Sequence, residues 1–133
     1  MLYVIHHGLN GVKKLSPSEI VYCVTSISSV FKTGLEFVFT NGHAVDKFSS
    51  QYSQGDLNNI ENILDMNAIK AKYWKIDDDL DLKRRKEAEF LLAADLPIAA
   101  VLGFIVYNET AKNQLVQFGV VQNQIHINAN AYF

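Results

Sequence analysis

Apolar residues along the chain fall into short runs whose spacing alternates between the two-residue period of a strand and the three-to-four-residue period of a helix. Leu2-Tyr3-Val4-Ile5 is aromatic and aliphatic and starts without a leading cap or turn, as at the cut end of a longer chain. His6, His7, Gly8, Asn10 and Gly11 then break the pattern, and a polar loop containing Pro17 follows. Ile20-Val21-Tyr22-Cys23-Val24 is β-branched and aromatic, which predicts a buried strand with Cys23 as a small hydrophobe inside it. Thr25 or Ser26 can cap a short helix, because Ile27, Val30 and Phe31 share one helical face and Gly34 stands where a helix stops. Phe37-Val38-Phe39-Thr40 predicts the next strand, and Asn41-Gly42 turns the chain into His43-Ala44. After Phe48, residues 49–56 are Ser, Gln, Tyr, Gly and Asp with little to bury, and residues 48–56 read as a surface loop. Ile60, Ile63, Leu64, Met66 and Ile69 among polar residues predict one or two short helical turns. Residues 103–107 predict a strand, residues 109–118 a helix capped by Asn108, and Ile125, Ile127 and Tyr132-Phe133 an extended end. The succession predicts a mixed α/β (α+β) class, a small sheet with short helices.

A length of 133 residues predicts one domain spanning residues 1–133. Hydrophobic residues at 49% and charged residues at 20% predict a globular core and exclude disorder, collagen-like repeats and coiled coils. The longest apolar stretch, Leu96 to Tyr107, is interrupted by Pro97 and Gly103 and falls short of the roughly 20 residues a bilayer needs. No membrane partner is therefore expected. The chain opens without a basic segment, a long apolar stretch or a small-residue cleavage site, so export is not expected. The single cysteine suits a reducing compartment, and the cytoplasm is the expected location. A formal charge of −2 gives no global attraction to a polyanion, so any nucleic-acid contact has to come from a local patch.

Glu89 is the most conspicuous single residue, because Ala88-Glu89-Phe90-Leu91-Leu92 sets a carboxylate in a segment otherwise fit for burial. Strand alternation could equally point it to solvent or to Arg85. Lys83-Arg84-Arg85-Lys86 could contact phosphates through planar guanidinium groups, or form a solvated face neutralised by Asp77-Asp78-Asp79 and Asp81. Tyr73 and Trp74 among lysines carry the stacking-plus-charge chemistry used on single-stranded nucleic acid, or else anchor a short helix. The four histidines are scattered, with no His-x-x-x-His and no Cys pair, so no metal site is expected. Dinucleotide-fold, P-loop and nucleophile-elbow signatures do not occur in the chain.

Several segments in order resemble the DarT family, toxins of a bacterial toxin–antitoxin system that ADP-ribosylate DNA using NAD. They are Met1-Leu2-Tyr3-Val4-Ile5-His6, Ile20-Val21-Tyr22-Cys23-Val24-Thr25-Ser26, Phe39-Thr40-Asn41-Gly42-His43-Ala44, Ala71-Lys72-Tyr73-Trp74, Lys83-Arg84-Arg85-Lys86-Glu87-Ala88-Glu89-Phe90-Leu91, Val106-Tyr107-Asn108-Glu109 and Tyr132-Phe133. The resemblance implies an ADP-ribosyltransferase-like fold with NAD as substrate. It makes Glu89, in the Arg-Arg-x-x-Ala-Glu-Phe segment, the catalytic carboxylate. It places His43 near the active site and Met1 against the NAD pocket, as cofactor-binding positions. It puts Arg84, Arg85, Tyr73 and Trp74 in the segment that meets single-stranded DNA, with thymine or guanine as the target base. A cognate antitoxin is the implied protein partner.

Family members also carry an amino-terminal portion with a His-x-Thr motif for nicotinamide and an arginine that helps activate the base. No His-x-Thr occurs here, and the only arginines are Arg84 and Arg85. The resemblance therefore implies the carboxy-terminal part of the family's domain, lacking the amino-terminal portion. A missing neighbouring strand predicts an exposed edge through which a homo-oligomer forms. Three readings follow: an enzyme, a non-catalytic fragment that binds antitoxin or DNA without NAD turnover, and an unrelated interaction domain.

Overall fold

Short strands need neighbours to bury their faces, and the described residues supply them in two separate three-stranded sheets. The computed structural model describes residues 2–74 and 76–132. In chain order these form α1 (Leu2–His7), β1 (Tyr22–Val24), α2 (Ile27–Lys32), β2 (Phe37–Thr40), β3 (Gln51–Ser53), α3 (Ile60–Ile63), α4 (Met66–Lys70), α5 (Leu82–Lys86), β4 (Phe90–Leu92), β5 (Gly103–Val106), α6 (Glu109–Gln117) and β6 (Ile125–Ile127). The chain gathers into two compact units. One comprises residues 1–33 and 96–133, the other residues 34–95.

The first unit holds the sheet β1-β5-β6. β1 runs antiparallel to β5, with Cys23 opposite Phe104, and β6 runs parallel to β5, with Ile125 opposite Phe104. A parallel pair needs a crossover, and α6 supplies it. Asn108 starts that helix as expected, its side chain accepting the Ala111 amide at 2.9 Å. Val106, Ala111 and Ile125 then form a core against which Leu115 and Val120 pack. Buried Tyr132 closes the unit, its hydroxyl 2.8 Å from the Ile20 carbonyl and 2.9 Å from that of Ile105. Ser26 caps α2 by accepting the Ser29 amide, and Gly34, at φ +74°, supplies the left-handed stop beyond that helix. Cys23 departs from expectation. It is exposed, because the two-residue period turns Tyr22 and Val24 inward and their neighbour out.

The second unit holds β3-β2-β4, antiparallel throughout. Phe37 and Phe39 leave one face of β2 and are buried. Phe37 meets Phe90 on the diagonal at 4.5 Å between ring centroids, and Phe39 stacks on Tyr52 at 5.5 Å. That last contact explains a second departure: part of the expected 48–56 loop is a strand, because Tyr52 has an aromatic partner across the sheet. Asp65 caps α4 through the Asn67 and Ala68 amides. Among the described residues no helix is long and apolar enough to cross a membrane.

Candidate active site

Thr40 ends β2 and is the pivot of the site. It is completely buried, and its hydroxyl donates to the Gly42 carbonyl while accepting the Glu89 amide at 3.0 Å. The Thr40 amide in turn donates to the Glu89 carbonyl at 2.9 Å. Glu89 thus stands one residue before β4, held by its backbone where the sheet ladder runs out. The Asn41-Gly42 turn brings His43 and Ala44 over it. His43 Nδ1 lies 2.7 Å from Glu89 Oε1, and the Ala44 amide donates to the same oxygen at 3.0 Å.

These bonds fix the charge state. The Ala44 amide first, then the His43 ring, holds the Glu89 carboxyl below its ordinary value, against a partial desolvation that raises it. A carboxylate accepts and does not donate, so Nδ1 of His43 carries the proton. Both bonds from described residues fall on Oε1, which leaves Oε2 as the oxygen that can meet a ligand. About a third of the Glu89 side chain and half of that of His43 are accessible, at 35% and 48%. The expected alternatives for Glu89, plain solvent or a pair with Arg85, are both replaced by this arrangement.

The arginines are occupied elsewhere in the same unit. Arg84 grips Asp81 with Nε and Nη2, each at 2.7 Å, and reaches Asn41 O and Ser49 Oγ with Nη1. Arg85 is ringed by Asp65, Asp79 and Asp81. The adjacent acidic and basic runs therefore interlock rather than present a basic face. Tyr73 and Trp74 are not core anchors, since they are 65% and 50% exposed. Lys72 Nζ lies 5.7 Å from the Tyr73 ring centroid and Lys86 Nζ 4.9 Å from that of Trp74. Lys86 Nζ also donates to the Ile69 and Ala71 carbonyls, which ties Trp74's neighbour to the end of α4. Met1 lies outside the described residues.

A cleft of about 550 Å³ lies at the other end of the same sheet, between Phe37, Val38, Ser53, Gln54, Leu91 and Leu92, and does not include Glu89. Among the described residues no three His, Cys, Asp or Glu side chains gather as a metal ion requires. Sequence reasoning missed Thr40 and the Ala44 amide. A hydroxyl residue directly ahead of Asn-Gly at the end of an aromatic strand was the available signal for the first. A backbone donor leaves none.

The family model described as "ssDNA thymidine ADP-ribosyltransferase, DarT" matches residues 1–133. A DNA ADP-ribosyl transferase of Escherichia coli O127:H6 (strain E2348/69 / EPEC) is 32% identical over 137 residues, covering 100% of this chain and 62% of the relative. A solved structure of Thermus sp. 2.9 DarT in complex with ADP-ribosylated ssDNA superposes with a TM-score of 0.86 at 27% identity, over 99% of this chain and 63% of that one. The same protein in complex with NAD+ gives 0.81 at 28% identity, over 99% and 66%. The chain thus spans less than two thirds of the length of these relatives. Its fold is that of the ADP-ribosyltransferases they represent, and the chain belongs to the DarT family.

Proposed function

We propose that the chain carries the carboxylate part of the site of a toxin that transfers ADP-ribose from NAD to a thymidine base of single-stranded DNA. The observation that carries the reading is Glu89, ionised and fixed through Oε1 by His43 and the Ala44 amide, with Oε2 left for a substrate hydroxyl. The relatives named for NAD+ and ADP-ribosylated ssDNA supply the substrates.

In the transfer, the bond between the ribose anomeric carbon and the nicotinamide nitrogen breaks, and its electron pair leaves with neutral nicotinamide. The ribose develops oxocarbenium character, which a fixed carboxylate stabilises electrostatically while holding a ribose hydroxyl. A nucleobase nitrogen then bonds to the anomeric carbon and releases its proton. The reaction is a glycosyl transfer that needs no metal. His43 serves by orienting the carboxylate. With Nδ1 engaged by Glu89, Nε2 is the ring nitrogen left to meet a group on the NAD or the base. Met1 belongs to the same NAD-facing proposal. Tyr73 and Trp74 supply stacking faces for the strand, whereas the guanidinium groups of Arg84 and Arg85 are taken by aspartates.

The test is to incubate the full chain with NAD and a thymidine-containing single-stranded oligonucleotide and weigh the oligonucleotide by mass spectrometry. Added ADP-ribose that disappears in Glu89→Gln is the expected result. A second reading is a chain that binds DNA or an antitoxin without turning over NAD. No heat of NAD binding by calorimetry, together with retained antitoxin or DNA binding, selects it.

A further inference from the structure

We propose that Arg84 is a positioning residue for the Glu89 carboxylate, holding the turn of residues 41–50 in the form that aims the Ala44 amide and the His43 ring at Oε1. The proposal rests on the reading of Glu89 as the reactive carboxylate.

That turn leaves the sheet after Thr40 and rejoins it at Gln51, which pairs with Thr40. Between them the legs are joined by bonds from the Asn41 amide to the Ser50 carbonyl at 3.3 Å and from the Ser50 amide to Asn41 Oδ1 at 2.8 Å, and Arg84 adds contacts at Asn41, His43 and Ser49. Nη1 reaches the Asn41 carbonyl at 3.4 Å and Ser49 Oγ at 3.3 Å, so one group joins the two legs of the turn. The Arg84 carbonyl takes the His43 amide at 3.0 Å. The backbone of the residue that donates its ring to Glu89 is thus fastened to the residue that clamps the legs. The side chain lies so close over Gly42 that a Cβ there would fall 2.6 Å from Ser49 Oγ and 2.9 Å from Arg84 Cγ. Glycine at this position is what lets the guanidinium lie against the turn.

The far edge of the guanidinium is held in turn. Nε and Nη2 meet the two carboxylate oxygens of Asp81 at 2.7 Å each, a bidentate pair that sets the plane of the group. The side chain is 15% exposed. Four of its five N–H donors are already engaged, which argues against the phosphate contact the basic run invites. Lysine cannot substitute, because an ammonium concentrates its donors at one point and cannot span Asp81 on one edge and the turn on the other.

The experiment is nuclear magnetic resonance of the isotope-labelled full chain, without NAD or DNA, comparing wild type with Arg84→Gln, Arg84→Lys, Ser49→Ala and the control Lys83→Gln. In Arg84→Gln the Ala44 amide and His43 Nδ1 resonances lose their hydrogen-bonded positions while the amides of β2 and β4 keep theirs. Arg84→Lys recovers only part of the loss, and Lys83→Gln shows none. A folded Arg84→Gln with both resonances unmoved overturns the proposal. So does a fall in single-stranded DNA affinity in that variant with the resonances in place, which would make Arg84 a phosphate contact. If Arg84→Gln does not fold, Ser49→Ala, which removes one tether, must move the Ala44 resonance in the direction of its loss, and an unmoved resonance again overturns it. A failure of the catalytic reading looks different, as ADP-ribose transfer that survives Glu89→Gln.

Discussion

Glu89 shows how little of a carboxylate's setting its neighbours in sequence reveal. A carboxylate within an apolar run signals a special role, and that much is legible from Ala88-Glu89-Phe90. Its acceptors' partners are a backbone amide and a ring more than 40 residues away, 45 and 46 along the chain. They are brought there by the end of a strand and a turn, and no local pattern encodes them. The setting also decides how a substitution behaves. Had Glu89 paired with Arg84 or Arg85, its removal would strand a partly buried cation. As it is, Gln in its place keeps an oxygen that can accept the Ala44 amide, and the site is about a third open to water, at 35%. Glu89→Gln should therefore shift the melting temperature by no more than a degree or two, on the order of 0.5 kcal/mol, while abolishing transfer. A drop of many degrees in a thermal melt would make the residue structural.

At the scale of elements, the two charged runs on either side of Leu82 are the instructive case. The spacings Asp81 to Arg84 and Asp81 to Arg85 are one helical turn, so those pairs could be read from the sequence. The Asp65 pair could not, since it joins the cap of α4 to α5. Arg85 is the cation that keeps Asp65, Asp79 and Asp81 together, with a quarter of its side chain exposed, 25%. Arg85→Ala should cost about 1–3 kcal/mol, as charged hydrogen bonds are lost and Asp65 and Asp79 lose their cation while Asp81 keeps Arg84; urea unfolding measures it, and a change below the error of the fit would make the cluster ornamental. Trp74 lies beyond the same cluster, half exposed, with Lys86 beside its ring. If it stacks a base, Trp74→Ala weakens single-stranded DNA binding by about 1–3 kcal/mol whatever the sequence. Unchanged affinity in a low-salt titration removes it from the DNA path. β3 escaped the sequence reading for the same reason as the Asp65 pair: Tyr52 looks like loop until Phe39 is across from it.

For the whole molecule, fold class and family were legible because they need only the order of segments, while the division into two units was not, because residues 96–133 join residues 1–33 and the second unit, residues 34–95, lies between them in sequence. β3 and β4 are the outer strands of that unit's sheet. Self-association there should show as a dimer in light scattering, and a monomer at high concentration discards it. The same division carries a sharper expectation about acid. Asp65, Asp81 and Glu89 all lie in residues 34–95. Bonds from the Ala68 amide and Arg85, from Arg84, and from the Ala44 amide and His43 respectively hold their carboxyls below the ordinary values of 3.8, 3.8 and 4.5. A carboxyl depressed in the folded state stabilises it fully above the ordinary value and loses that contribution as pH falls through the lowered one. Among the described residues of 1–33 and 96–133 one carboxyl is similarly lowered, Glu19, fixed by Ser16 and fully exposed, where water screens it. Acid should therefore loosen the two units in order. As pH falls from about 5 toward 2, amide hydrogen-exchange protection factors in residues 34–95 decline before those in the rest of the chain, and raised salt narrows the gap by screening the half-exposed pairs. Asp65→Asn combined with Asp81→Asn removes two of the three groups and should flatten the decline in that unit. Simultaneous loss across both units, or earlier loss outside residues 34–95, would show that these carboxylates do not set the acid limit of the fold.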